Sequence, residues 1–242
     1  MAVRSYSVGD SDFFFLAVDH ARDRFHDLPP PLPWVEPSIN MPHLQACASY
    51  VLGQNLGSLL LTGVLLEHTL RLAVIDAKAG CQGSMDTQLW KKYSNFTIKD
   101  FFDGEGAVVR KLIADEDFDW WKDFAAKVVR NKTAHLDIPA IIKHLGRRPQ
   151  YVGRYKDTAD EARIFSNRFW WGAVFHETDA LVAVGFIREA TEKLRALIAR
   201  SNWKPDRSYW ASQEWHYNSF FEYPWTLKAM MSSVQRLPED RP

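Results

Sequence analysis

The sequence predicts an all-α fold, and three observations carry that expectation. Apolar residues recur at steps of three and four, as at Leu59, Gly63, Leu66, Leu70 and Ala73, the spacing that lines one side of a helix. No segment sustains a two-residue alternation between hairpin turns, which a half-buried strand would need. Helix boundaries are also legible. Gly80-Cys81-Gln82-Gly83 ends one long pattern, while Asp137, Pro139 and Gly146 frame a short one.

Residues 11–27 form a short amphipathic pattern with Phe14, Leu16, Val18 and Phe25 among its apolar members. Leu28-Pro29-Pro30-Pro31-Leu32-Pro33 cannot continue it, because proline removes donors and restricts the residue before it. An extended arm to about Pro42 follows, a plain connector in the first instance and a proline-rich ligand for a partner in the second. One long helix is expected from His43 to Ala79, with Leu52 and Leu56 on the same stripe as the residues above. Residues 84–104 read as irregular apart from a short helix over Ile98 to Phe102.

Two more helices are expected at Glu105 to Ala114 and Asp117 to Arg130, the second opening on acidic charge that suits a helix N-terminus. Asp137 caps a helix over Ile138 to Leu145, residues 146–160 are a basic, polar loop, and a long helix runs from Ala162 to Arg200. Its stripe is Phe165, Phe169, Ala173, Ala180, Val184, Ile187, Leu194 and Ile198. The chain therefore divides into an N-terminal helix and arm (1–42), a helical domain (43–200) and an aromatic-rich C-terminal extension (201–242). Trp203, Tyr209, Trp210, Trp215, Tyr217, Phe220, Phe221, Tyr223 and Trp225 crowd that extension. Aromatics can stack on bases for about 1–3 kcal/mol each, or cover helices with their large area. Sparse Lys and Arg between them favour packing.

Hydrophobic residues make up 46% of the 242 and charged residues 25%, enough for a substantial core. Lys+Arg and Asp+Glu are 30 each, so a charge-driven coat on long duplex DNA is disfavoured while a local basic site is not. Two cysteines, Cys47 and Cys81, are too few and too separated for a disulfide scaffold or zinc motif. The N-terminus lacks a signal-peptide pattern, and the apolar run Leu59 to Leu66 is too short to span a bilayer. The expectation is a cytoplasmic protein with no membrane role.

The chemistry is concentrated in Arg130-Asn131-Lys132-Thr133-Ala134-His135. A guanidinium offers a planar fork of donors to a phosphate, and an imidazole moves protons near neutral pH. Five residues apart on an unbroken α-helix, Arg130 and His135 would lie about 140° apart. A helix ending near Asn131 would let the imidazole turn back, because asparagine tolerates left-handed geometry. Two copies in a symmetric dimer could also converge on one groove. Glu67 follows an apolar run expected to be buried, so its carboxylate needs a cation. Two partners fit: Arg130, which would fix the guanidinium, or Arg71 in an i,i+4 surface pair worth a few tenths of a kcal/mol.

His68 and His176 read as packed or surface residues on helices, whereas His144 lies close enough to the motif to touch substrate. His20, His26, His43 and His216 form no ligand spacing with Asp, Glu or Cys, so no metal site is expected. There is no phosphate-binding glycine loop and no serine or cysteine nucleophile paired with a histidine, and no cofactor is called for.

Leu59-Leu60-Leu61-Thr62-Gly63-Val64-Leu65-Leu66-Glu67-His68-Thr69-Leu70-Arg71, followed by Val128-Val129-Arg130-Asn131-Lys132-Thr133-Ala134-His135, resembles the HEPN superfamily. The resemblance spans residues 43–200 and omits the arm and the aromatic extension. It implies a helical bundle, a homodimer with the motifs facing each other, and metal-independent endoribonuclease activity. In that family an arginine, four to six residues and a histidine form the signature, often with a polar residue after the arginine. Arg130, Asn131 and His135 match it, and Glu67 matches an acidic residue on the first long helix. The implied reaction is attack of a ribose 2′-hydroxyl on its phosphate, leaving a 2′,3′-cyclic phosphate and a 5′-hydroxyl. Lys132, Thr133 and His144 would contact RNA. The resemblance further implies a toxin or antiviral defence effector, restrained by an antitoxin or regulatory partner. Some members are inactive, so a dimerisation or nucleotide- or protein-binding module is the alternative.

Overall fold

A helix as apolar as Leu59-Leu60-Leu61-Thr62-Gly63-Val64-Leu65-Leu66 needs cover on several sides, and the computed structural model shows where that cover comes from. It describes residues 21, 24–83, 86–132 and 168–205, with backbone alone at 127–132 and 168–182. The elements are α1 (Pro37–Val51), α2 (Asn55–Ala79), α3 (Thr87–Tyr93), α4 (Ile98–Gly104) and α5 (Gly106–Leu112). A 3-10 turn at Asp115–Asp117, a π-helix at Trp120–Lys132 and α6 (Arg168–Arg200) complete them. Among the described residues there is no strand, and the fold is all-α.

The central helix is α2, against which α1, α6 and the π-helix all pack. Leu59, Leu65, Leu66, Leu70, Ala73 and Val74 are buried between them, each large side chain stabilising the fold by about 1.5–3 kcal/mol. Thr62 and Thr69 sit in the same interior because their hydroxyls donate to the Ser58 and Leu65 carbonyls at 2.8 and 2.7 Å. By length and composition this 25-residue helix could cross a membrane, but 67% of its apolar window is buried inside the protein. It is long where the apolar run alone had looked short, and it reads as a core helix. The expectation that the run is buried is corrected in part: Val64 is 57% exposed, with Leu60 and Leu61 half-buried beside it.

The single helix expected from His43 to Ala79 is two. Gly53 takes φ +80°, and the Arg24 guanidinium lies at the break, donating to the Tyr50 carbonyl and Asn55 Oδ1 at 3.0 and 3.1 Å. Glycine adopts that dihedral without a Cβ penalty. Leu52 therefore leaves the predicted stripe and stands 70% exposed. The first of the two starts earlier than expected, at Pro37, with Pro42 inside it. Asn40 supports that start: its Oδ1 accepts from the Val35 and Glu36 amides, and its Nδ2 donates to the Pro33 carbonyl. Pro42 costs one early backbone bond, which burial of Ile39, Ala46 and Cys47 outweighs.

The proline arm is clamped to the fold. Arg195 of α6 donates to the Pro30 and Pro31 carbonyls at 3.0 and 2.7 Å, and Leu32, Trp34 and Val35 are buried. A polyproline ligand offers its carbonyls and its ring faces to a partner; here Arg195 already occupies two of those carbonyls. The connector reading describes this segment.

Between α1 and α6, His43 is wholly buried. Thr191 donates to the Ile187 carbonyl at 2.6 Å, so its oxygen accepts from His43 Nε2 at 3.0 Å. Burial, and then the Arg195 charge, hold this imidazole down at about 4 against an ordinary 6.5. The unfolded chain thus binds the extra proton over that window, and stability falls as pH drops from 6.5 towards 4. The neutral-pH stability of wild type should exceed that at pH 4.5 by about 2 kcal/mol more than in His43→Gln, which keeps a donor but does not titrate. Urea titrations at both pH values check this, and equal losses in the two proteins would refute it.

Residues 84–104 are more regular than expected. Asp86 caps α3 by accepting from the Gln88 and Leu89 amides, and Thr97 with Asp100 forms a capping box on α4. Glu105, at the start of α5, receives Lys78 at 2.5 Å, Lys92 at 2.8 Å and the Tyr93 hydroxyl. Burial opposes its charge, yet the bonds from Lys78, Lys92 and Tyr93 outweigh burial and hold the carboxyl at about 2. This knot joins the C-terminal ends of α2 and α3 to α5.

The helix expected from Asp117 to Arg130 is instead the 3-10 turn and the π-helix. Its buried residues are Trp120, Trp121, Phe124, Ala125 and Ala126. Trp120 stacks on Phe186 of α6 at 6.0 Å, and Phe124 meets the same ring edge-on at 5.9 Å. On α6, Val184, Ile187, Leu194 and Ile198 are buried as the predicted stripe requires. Trp203 also packs, 5% exposed, its Nε1 donating to Asp76 Oδ2 at 2.6 Å. The other extension aromatics, the expected helix at 11–27 apart from residues 21 and 24–27, the expected helix at 138–145 and the loop at 146–160 lie outside the described residues.

Candidate functional site

On α2 the sequence Glu67-His68-Thr69-Leu70-Arg71 turns from buried core to protein rim. Glu67 and Arg71 face each other across one turn: Arg71 Nη2 donates to Glu67 Oε1 at 3.2 Å, and both side chains are 12% exposed. The same Nη2 donates to the Phe96 carbonyl at 3.0 Å. The guanidinium lies 5.9 Å from the centre of the Trp90 ring, and His68 meets that ring edge-on at 6.4 Å. Burial, and then Arg71, lower the His68 pKa below its ordinary value, so the ring is neutral at pH 7. Packed but half-buried is where His68 falls between the two readings its helix position allowed.

Of the two partners weighed for Glu67, the i,i+4 pair with Arg71 is present. It differs from the surface pair imagined, because both groups are mostly out of water and the cation is shared with a backbone carbonyl. A buried pair cannot lose one member cheaply. Sequence spacing reveals Arg71, but nothing periodic marks Phe96, 25 residues on, or Trp90 as its neighbours.

The second component is the C-terminal end of the π-helix, which packs on α2 and α4. The backbone is helical through Arg130, Asn131 and Lys132, the last described residues of this segment. Their side chains, and Thr133, His135 and His144 altogether, lie outside the described residues. An i→i+5 bond widens the turn relative to the α-repeat, which would set a five-residue pair about 140° apart.

Among the described residues, no three of His, Cys, Asp and Glu converge as metal ligands, and both cysteines are free, Cys47 buried and Cys81 exposed. Burial pushes the Cys47 thiol up to about 12, leaving it unreactive. Comparisons with protein-family models, with curated proteins and with solved structures each found no match for the chain.

Proposed function

We propose that the chain is a metal-independent endoribonuclease acting as a homodimer, with Arg130 and His135 as the phosphate-handling pair. The observation that carries this reading is the segment Arg130-Asn131-Lys132-Thr133-Ala134-His135, entered from a helix packed on the one that bears Glu67. His135 takes the proton of the ribose 2′-hydroxyl, whose oxygen attacks the adjacent phosphorus, or returns one to the leaving 5′-oxygen. The P–O5′ bond breaks, giving a 2′,3′-cyclic phosphate and a 5′-hydroxyl. Arg130 stabilises the charge gathering on the phosphoryl oxygens, Asn131 orients the group, and Glu67 fixes the Arg130 guanidinium. Lys132, Thr133 and His144 contact the RNA. The HEPN resemblance supports the dimer, a cytoplasmic toxin or antiviral defence role, and restraint by an antitoxin or regulatory partner. The half-open apolar stripe of Leu60, Leu61 and Val64 offers a face for a second copy.

That stripe equally favours a second reading, an inactive helical module that binds a protein or nucleotide. Purified protein incubated with end-labelled RNA in EDTA separates the two. The enzyme yields fragments with cyclic-phosphate ends and spares the 2′-deoxy version of the same strand. Intact RNA at micromolar protein would leave the binding module standing.

A further inference from the structure

We propose that the proline arm, residues 28–36, is an acid-released strap, and that His43 beneath it is the group whose protonation opens it. Two side chains tie the arm across the seam between α1 and α6. Asn40 of α1 accepts from the Val35 and Glu36 amides at 2.9 and 3.2 Å and donates to the Pro33 carbonyl at 3.0 Å. Arg195 of α6 donates to the Pro30 and Pro31 carbonyls. His43 stands three residues after Asn40, and Thr191 four before Arg195, so each lies one helical turn from a tie. Their 3.0 Å bond closes the seam that the arm bridges, and His43 is 3% exposed there. Lifting the arm lets water reach the imidazole.

A solvated imidazole takes up its proton near the ordinary 6.5, whereas under the arm burial, and then Arg195, hold it at about 4. Protons therefore favour the lifted arm. The groups around the ring do not offset the added charge. From α1 it meets Cys47 Sγ at 4.0 Å, and from α6 Thr191 and Arg195. The residues that α2 buries include no titratable one. The carboxylates flanking the arm are engaged, Asp27 with Arg188 at 3.4 Å and Glu36 with Ser38. A proton on His43 thus stands beside the guanidinium that grips Pro30 and Pro31, and the repulsion loosens that grip. Residues 29–36 carry no helix, so the arm can open as a unit smaller than the bundle. Leu32, Trp34 and Val35, buried when it is closed, leave the core with it.

The test follows hydrogen exchange of the Val35 and Glu36 amides at pH 8 and pH 5, corrected for intrinsic rates, with the Leu66 and Leu70 amides of α2 as reference. The arm amides should be less protected than those of α2 at both pH values. Their protection should fall about 30-fold from pH 8 to pH 5, the ratio that a displacement from 6.5 to about 4 produces. In His43→Gln the fall should shrink to within about twofold, because glutamine does not titrate. Asp27→Asn should retain it, which separates His43 from the Asp27–Arg188 pair. Arm amides as protected as those of α2 would mean that the arm opens only with the whole fold, and would overturn the proposal. A pH-independent protection in wild type, or a fall that persists in His43→Gln, would do the same. If His43→Gln does not fold, His43→Met takes its place, since Thr191 keeps its bond to the Ile187 carbonyl.

Discussion

Replacing His135 with alanine should lower RNA cleavage by about 10²–10⁴-fold, the usual worth of a general acid or base. The 2′-hydroxyl is a poor nucleophile at neutral pH, and this chain offers a histidine beside an arginine as the group able to take its proton there. The loss should fall on kcat, since an alanine would remove proton transfer and leave the phosphate contact proposed for Arg130 in place. Folding should be unaffected, so the variant must elute and melt with wild type. Cleavage equal to wild type in matched preparations would defeat the assignment and, with it, the proposed reaction. The measurement is single-turnover cleavage of a defined oligoribonucleotide in EDTA, with cyclic-phosphate ends identified on the products.

Truncating Phe186 to alanine should be the most damaging change to the fold, at about 3–5 kcal/mol. Phe186 is fully buried on α6 and carries both the Trp120 stack and the edge-on contact with Phe124. Removing it leaves a cavity at the seam that anchors the π-helix, in a wall of rings that cannot collapse far. For a chain of 242 residues, the melting temperature should drop by about 10 °C. Thermal and denaturant unfolding check the figure together. A loss under about 1 kcal/mol would mean that the seam repacks and does not hold the π-helix.

The His43 effect is of another kind, because it vanishes at neutral pH and appears only on acidification. It follows from the same seam. A ring packed between α1 and α6, with its hydrogen given to Thr191 and Arg195 beside it, has no place for a second proton.

Much of the fold was legible in local pattern. The apolar steps of α2 and α6, the stop at Gly80 and the Thr97–Asp100 region all sit where three- and four-residue spacing or capping chemistry puts them. The helix that Asp86 caps went unread, because it is only 7 residues long. Periodicity has little to work with over two turns. The break at Gly53 escaped notice for a different reason. Nothing near it in sequence demands a break, and the group seated there is Arg24, 31 residues from its bond at Asn55.

The candidate site divides along the same line. Arg130, Asn131, His135 and Glu67 are named by residue type and spacing, because phosphate chemistry needs a cation and a proton carrier close together. The amino-acid order alone determined the helical class and the main apolar faces and proposed that short list of candidate groups, since each depends on neighbours within a turn or two. Tertiary structure alone decided that Glu67 pairs with a cation shared by the Phe96 carbonyl, that the proline arm is tied down by Arg195, and that the element leading to Arg130 winds with a π repeat. Those outcomes depend on which distant surfaces meet and how much water each contact excludes, and local spacing along a chain carries no information about either.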